Sequence, residues 1–127
     1  MDCHIEYEGQ LLLIRLSGVM HDDDLLELLR LVQAAESRPP QTPHRLTDLS
    51  GLTELHLTFN GMSERIPLRR AMKFPNEFKS AIVAPDLVQF GFARMFQTLN
   101  DHPQIEIQVF RDLDSGRAWV EGREENG

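Results

Sequence analysis

The chain is poor in most of the features that announce a chemistry. It has one cysteine, Cys3, in 127 residues, so no internal disulfide can form and a reducing, cytoplasmic setting is expected. Its five histidines, His4, His21, His44, His56 and His102, make no HxH or HxxxH spacing, so no zinc site is signalled. No glycine-rich phosphate loop is present, and neither Ser50 nor Ser63 sits in a nucleophile elbow. Cys3 has no base beside it in the sequence. The longest apolar run, Leu11 to Ile14, is far too short to span a bilayer. The first residues carry no basic region ahead of a long apolar stretch, so no secretory signal is expected. Positive charge is scarce as well. Thirteen basic residues against 20 acidic ones leave a net charge of −7, which argues against non-specific nucleic-acid binding. No catalytic set, metal or cofactor is indicated.

What remains is an ordinary globular composition, 41% hydrophobic and 26% charged. One domain spanning residues 1–127 is the natural reading, long enough to bury roughly 65% of its unfolded surface around one core. Ile5 and Tyr7 alternate with glutamates as a strand. Gly9-Gln10 turns the chain, and Leu11 to Leu16 forms a second strand that Ser17-Gly18 is expected to end. His21-Asp22-Asp23-Asp24 opens a helix to about Glu36. The aspartates cap it and face its positive end, and their divergent directions rule out convergence on one ion. Leu25, Leu28, Leu29, Val32 and Ala35 form its apolar stripe.

His44 to Leu49 is a third strand, with Ser50-Gly51 as its expected stop. Met62, Ile66 and Arg70 suggest a helix interrupted at Pro67. Lys79 to Ala84 is a strand, Asp86 to about Asn100 a helix, Ile105 to Phe110 an alternating strand, and Asp112 to Val120 a last helix capped by Gly122. The order is β-β-α-β-α-β-α-β-α: an α/β fold with a mixed sheet, parallel after the opening hairpin, carrying amphipathic helices. Ile82, Val83, Ile107, Val109, Leu46, Leu13 and Leu29 are expected in the core. Gly91, alone in its helix, is expected to let that helix approach the sheet.

Two groups of residues stand out. Asp48 and His56 are the one acid/base combination that could meet across a loop after the third strand. Arg65, Arg69, Arg70, Lys73 and Lys79 outnumber Glu64 and Glu77 in a basic segment of an acidic chain, where an anionic ligand or partner could bind. On a helical wheel, Val88, Phe92, Met95, Phe96 and Leu99 share the core face of their helix. Phe90 lies opposite, able to staple onto Pro85 beside an Asp86/Gln89 capping box. Aromatic surface left over there would suit self-association or a partner.

The stretch Thr47-Asp48-Leu49-Ser50-Gly51-Leu52-Thr53-Glu54-Leu55 resembles a STAS domain, the fold of anti-sigma factor antagonists, in which a strand ending in Asp-Leu-Ser-Gly leads through a short loop into a helix. Ala81 to Pro85, Phe90 to Phe96, Val109 to Asp112 and Ala118 to Val120 resemble, in that order, the SpoIIAA-like (STAS/SEC14-type) group of small bacterial proteins. The resemblance covers nearly the whole chain. It implies a non-enzymatic regulatory or ligand-binding module. That module would use Asp48, Ser50, His56 and Thr58 after the third strand, Arg65 and Arg69 in the basic segment, and Phe90. Its counterpart would be a protein partner or a small anionic or lipid-like ligand, with homo-oligomerisation a further expectation. The alternative is a small enzyme working through Asp48 and His56. STAS antagonists are switched by phosphorylation within an Asp-Ser-Ser/Thr-Gly pattern. The matching residues here are His56-Leu57-Thr58-Phe59, where only Thr58 keeps a hydroxyl. Thr58 is therefore expected to be a helix cap that stays unmodified.

Overall fold

Two antiparallel strands, β1 (Asp2–Glu8) and β2 (Leu11–His21), open the chain around the two-residue turn read from the sequence. The computed structural model describes residues 1–67 and 71–122. After β2 come α1 (Asp22–Glu36), β3 (His44–His56), α2 (Phe59–Arg65), β4 (Phe78–Val83), α3 (Leu87–Leu99), β5 (Ile105–Phe110) and α4 (Leu113–Val120). This is the predicted element order. The five strands form one sheet in the order β1-β2-β3-β4-β5, with β2 to β5 parallel.

The helix starts follow the caps. Asp86 accepts the Gln89 backbone N–H at 2.8 Å, and the Gln89 side chain faces back to the Asp86 N–H, completing the predicted capping box. Asp112 caps α4 through the Ser115 N–H. At the far end of α4, Gly122 has φ +73° and donates to the Trp119 carbonyl, the left-handed stop that glycine permits. At α1 the cap residue is His21, and Asp24 reaches back to accept its backbone N–H at 2.8 Å. The three aspartates lie in the first turn, as expected from the macrodipole.

Two predicted strand stops are wrong. Ser17-Gly18 does not end β2, and Ser50-Gly51 does not end β3; the pair runs on together to His21 and His56. The ladder absorbs the break with register shifts between Arg15 and Ser17 and between Gly18 and Val19. A Cβ at Gly51 would stand 2.6 Å from the Leu16 carbonyl oxygen, so glycine there admits close passage of the two strands at the shift.

The core divides between the two faces of the sheet. On one face, α4 closes over Leu11, Leu13, Leu46, Ala81 and Val83 with Trp119 and Val120. On the other, α1, α2 and α3 cover Leu12, Ile14, Leu16, Ile82 and Ile107. Leu13, Leu46, Ile82, Val83 and Ile107 are buried as expected, whereas Leu29 and Val109 are only half-buried. Val88, assigned to the core face of α3, is 60% exposed. The inward stripe is instead Gln89, Phe92, Ala93, Phe96 and Asn100, an i, i+3, i+4, i+7, i+11 series with a polar residue at each end. Gly91 is exposed, and a Cβ there would meet nothing within 4 Å, so it does not mediate helix-to-sheet packing. Gly116 in α4 does. A Cβ there would come within 3.0 Å of Val83 and 3.2 Å of Leu46.

Candidate functional site

Register places Leu12, Arg45, Ser80 and Ile107 in one row across the sheet, and Ile14, Thr47, Ile82 and Val109 in the row two residues on. Side chains two apart along a strand share a face, so both rows look toward α1 and α3. Three polar residues therefore stand on an otherwise apolar surface. Between these rows and the helices lies a cavity of about 100 Å³. Leucines, isoleucine and phenylalanines make most of its wall; Arg45, Thr47, Ser80 and Asn100 are its polar members. Arg45 and Ser80 sit near the starts of β3 and β4. Asn100 follows α3, which returns antiparallel to the strands, so the polar groups gather at one end of the sheet.

An ion pair is buried at that end. The Arg45 guanidinium lies 3.3 Å from the Glu36 carboxylate, with side-chain exposures of 8% and 2%, and 4.8 Å above the Phe78 ring centroid. Breaking an ion pair packed this deeply is costly, because it leaves a charge in a water-poor surround. Asn100 is different. Its backbone N–H closes α3 on the Phe96 carbonyl at 2.9 Å, and the residue is 3% exposed. Its side-chain Oδ1 has no hydrogen-bond partner among the described residues. Sequence reasoning missed this set because its members are spread over two strands and one helix end. No local signal set Arg45 apart, because its strand also carries His44, Thr47 and Asp48.

The residues singled out from the sequence fall into separate places. Asp48 and His56 lie on the same strand, eight residues or about 26 Å of extended chain apart. Asp48 accepts the Ser50 backbone N–H at 2.9 Å, while the His56 ring stacks on His21 with centroids 5.2 Å apart. They form no acid/base pair, because the segment expected to loop between them is strand.

Thr58 caps α2, as expected: its hydroxyl accepts the Gly61 N–H at 2.9 Å and donates to Asp22 at 2.7 Å. The Thr58 N–H also donates to Asp22 at 2.9 Å. These bonds, the hydroxyl first, hold the Asp22 carboxyl below its ordinary range. Arg65 is turned inward to the same corner, donating to Asp23 at 3.1 Å and to the Gly61 carbonyl. Arg69, with Arg70, lies outside the described residues. Phe90 is half-buried against the cluster of Phe78, Ile82 and Ala93, with Arg111 5.4 Å and Arg94 5.9 Å from its ring centroid. Beside it, Leu87 is 74% exposed. Burial pushes the Cys3 thiol up, away from thiolate reactivity at neutral pH. Among the described residues no group of three or more His, Cys, Asp or Glu side chains could hold a metal ion, and no helix is long and apolar enough to cross a membrane.

No protein-family model matches the sequence, and no curated protein does. Among solved structures, the chain is similar to an uncharacterized protein of the DUF3478 family with a SpoIIAA-like fold from Shewanella loihica. The match has a TM-score of 0.57 and 17% identity, and covers 94% of this chain and 92% of that one. The chain has the SpoIIAA-like fold, the architecture implied by its STAS-like segments.

Proposed function

We propose that this chain is a non-enzymatic ligand-binding module, and that its site is the cavity beneath α1 and α3 rather than the surface between Asp48 and Thr58. The observation that carries this reading is the cavity of about 100 Å³, apolar over most of its wall and polar at one end. Ligand sites combine an apolar lining with a few convergent polar groups in this way. Separation of Asp48 from His56 leaves the enzymatic alternative without its acid/base pair. Engagement of Arg65 with Asp23 weakens the case for an anion site in the basic segment. Native mass spectrometry of freshly purified protein tests the reading. A low-mass species retained on the folded chain and released on denaturation is expected. Apo mass alone, with no response of the melting temperature to any small apolar molecule, would count against it.

A regulatory role through a protein partner is supported by a second observation. Leu87 and Val88 expose most of their side chains next to each other at the start of α3, beside half-buried Phe90. Adjacent apolar exposure of this kind suits association. In this reading the module acts in the cytoplasm and presents α3 to a partner or a second copy. Leu87→Ser with Val88→Ser should weaken association in light scattering more than Phe90→Ser, which should mainly lower the melting temperature. The reverse order would return the interface to Phe90.

A further inference from the structure

We infer that the cavity selects a small, neutral, hydroxyl-bearing apolar molecule, and that Asn100 is the residue that reads the hydroxyl. This inference rests on the cavity being a ligand site and adds the chemical class of the ligand.

Two observations set the class. The first is Asn100, whose side-chain carbonyl has no partner among the described residues although the residue is 3% exposed and lines the cavity. A buried acceptor without a donor costs free energy, and an occupant that supplies the donor recovers it. A hydroxyl suits the amide in either orientation, because it both donates and accepts. A ketone or ether serves only one. The second observation is the Glu36–Arg45 pair at 3.3 Å. The cation in the cavity wall has a buried carboxylate against it. An anionic ligand entering here would bring its negative charge into a water-poor space next to Glu36. That desolvation penalty weighs against carboxylates and phosphates. The expectation of an anionic ligand, drawn from the basic segment, therefore does not extend to this cavity.

Size narrows the class further. About 100 Å³ is somewhat smaller than the roughly 150 Å³ apolar cavity known to take up benzene. A compact alcohol is the scale of occupant that fits, and a phenol needs some give in the leucine wall.

The test uses the full chain at pH 7 with three probes of similar size: phenol, benzene and benzoate. Binding is followed by protein-detected NMR, reading the Asn100 side-chain amide and the methyl groups of Leu28 and Leu29. Phenol should bind and shift both sets of signals. Benzene should bind roughly tenfold more weakly, the loss of one hydrogen bond to a buried group, and benzoate should not bind. Asn100→Leu should abolish the preference of phenol over benzene while leaving benzene binding in place. If benzene or benzoate binds the native chain as tightly as phenol, the cavity is a ligand site but the hydroxyl selection is wrong. If none of the three binds, the cavity reading itself fails, and this inference with it. These native-chain outcomes stand whether or not the Asn100 variant folds.

Discussion

The two faces of the sheet are closed in different ways, and the difference locates the site. On the α4 face one short helix suffices, because Gly116 has no side chain and the helix backbone can settle against Val83 and Leu46. Lys79 then fastens the helix end, donating to the Trp119 carbonyl at 3.2 Å with its ammonium 5.0 Å from the Trp119 ring centroid. A cation at a helix C-terminus is favourable as well. On the opposite face three helices share the cover, and branched or aromatic side chains from α1 and α3 meet the sheet. Large side chains hold helices off the strands, and polar residues within the row cannot interdigitate as leucines do. The cavity of about 100 Å³ lies on that face. Native cores are close-packed, so an asymmetry of this kind marks where a ligand has room.

Breaking the charge balance of the open face should give the largest effect. Arg45→Leu removes the cation 3.3 Å from the buried Glu36 carboxylate and should cost about 3–5 kcal/mol in urea denaturation. The double change Glu36→Leu with Arg45→Leu should recover most of that loss, since replacing a buried pair with apolar groups is close to neutral. On the tight face, Gly116→Val forces methyl groups into Val83 and Leu46 and should cost about 1–3 kcal/mol. The same measurement on Gly91→Ala should show a gain of about 0.5–1 kcal/mol, because Gly91 points into open space and alanine favours the helix. A loss at Gly91 matching that at Gly116 would erase the distinction drawn between the two helices.

The contrast between these glycines also shows what a sequence can reveal. Both lie in helices, and nothing local tells which one faces the sheet. Element order was legible throughout, because the strands stood out as alternating or short apolar stretches and α3 and α4 began at readable aspartate caps. The extension of β2 and β3 was not. Ser17-Gly18 and Ser50-Gly51 have the composition of stops, yet they pair across a register shift where Gly51 is required by the neighbouring Leu16 carbonyl. That misreading turned a strand into a loop and produced the Asp48/His56 pair. The rotation of α3 was misjudged for a related reason. Its inward stripe begins at Gln89, whose amide donates to the Leu49 and Leu52 carbonyls at 3.0 and 3.1 Å, and ends at Asn100. Both are polar, and a wheel drawn on apolar residues alone turns toward Val88. The cavity was not legible because it exists only between elements distant in sequence.

The smallest expected effect is on the α4 side and depends on pH. His44 Nδ1 accepts the Lys79 backbone N–H at 2.9 Å, a role only the neutral ring can play. Burial first, then the Lys79 charge, lowers its pKa below the ordinary 6.5. The unfolded chain thus takes up the proton before the folded one does. Stability should be constant above that value and decline as pH falls from about 6.5 toward the lower folded value. His44→Leu should flatten this slope in melting temperatures recorded between pH 7.5 and about 5. An unchanged slope would remove His44 as its source.

Open space under the face covered by α1, α2 and α3, with close packing under α4, is the central expectation. Xenon enters small apolar cavities without needing a hydrogen bond, so methyl NMR under xenon pressure reports that space independently of ligand chemistry. Saturable shifts are predicted for Ile14, Leu25, Val32 and Ile82, with Leu46, Val83 and Val120 unmoved. Equal shifts on both faces, or none on either, would contradict it.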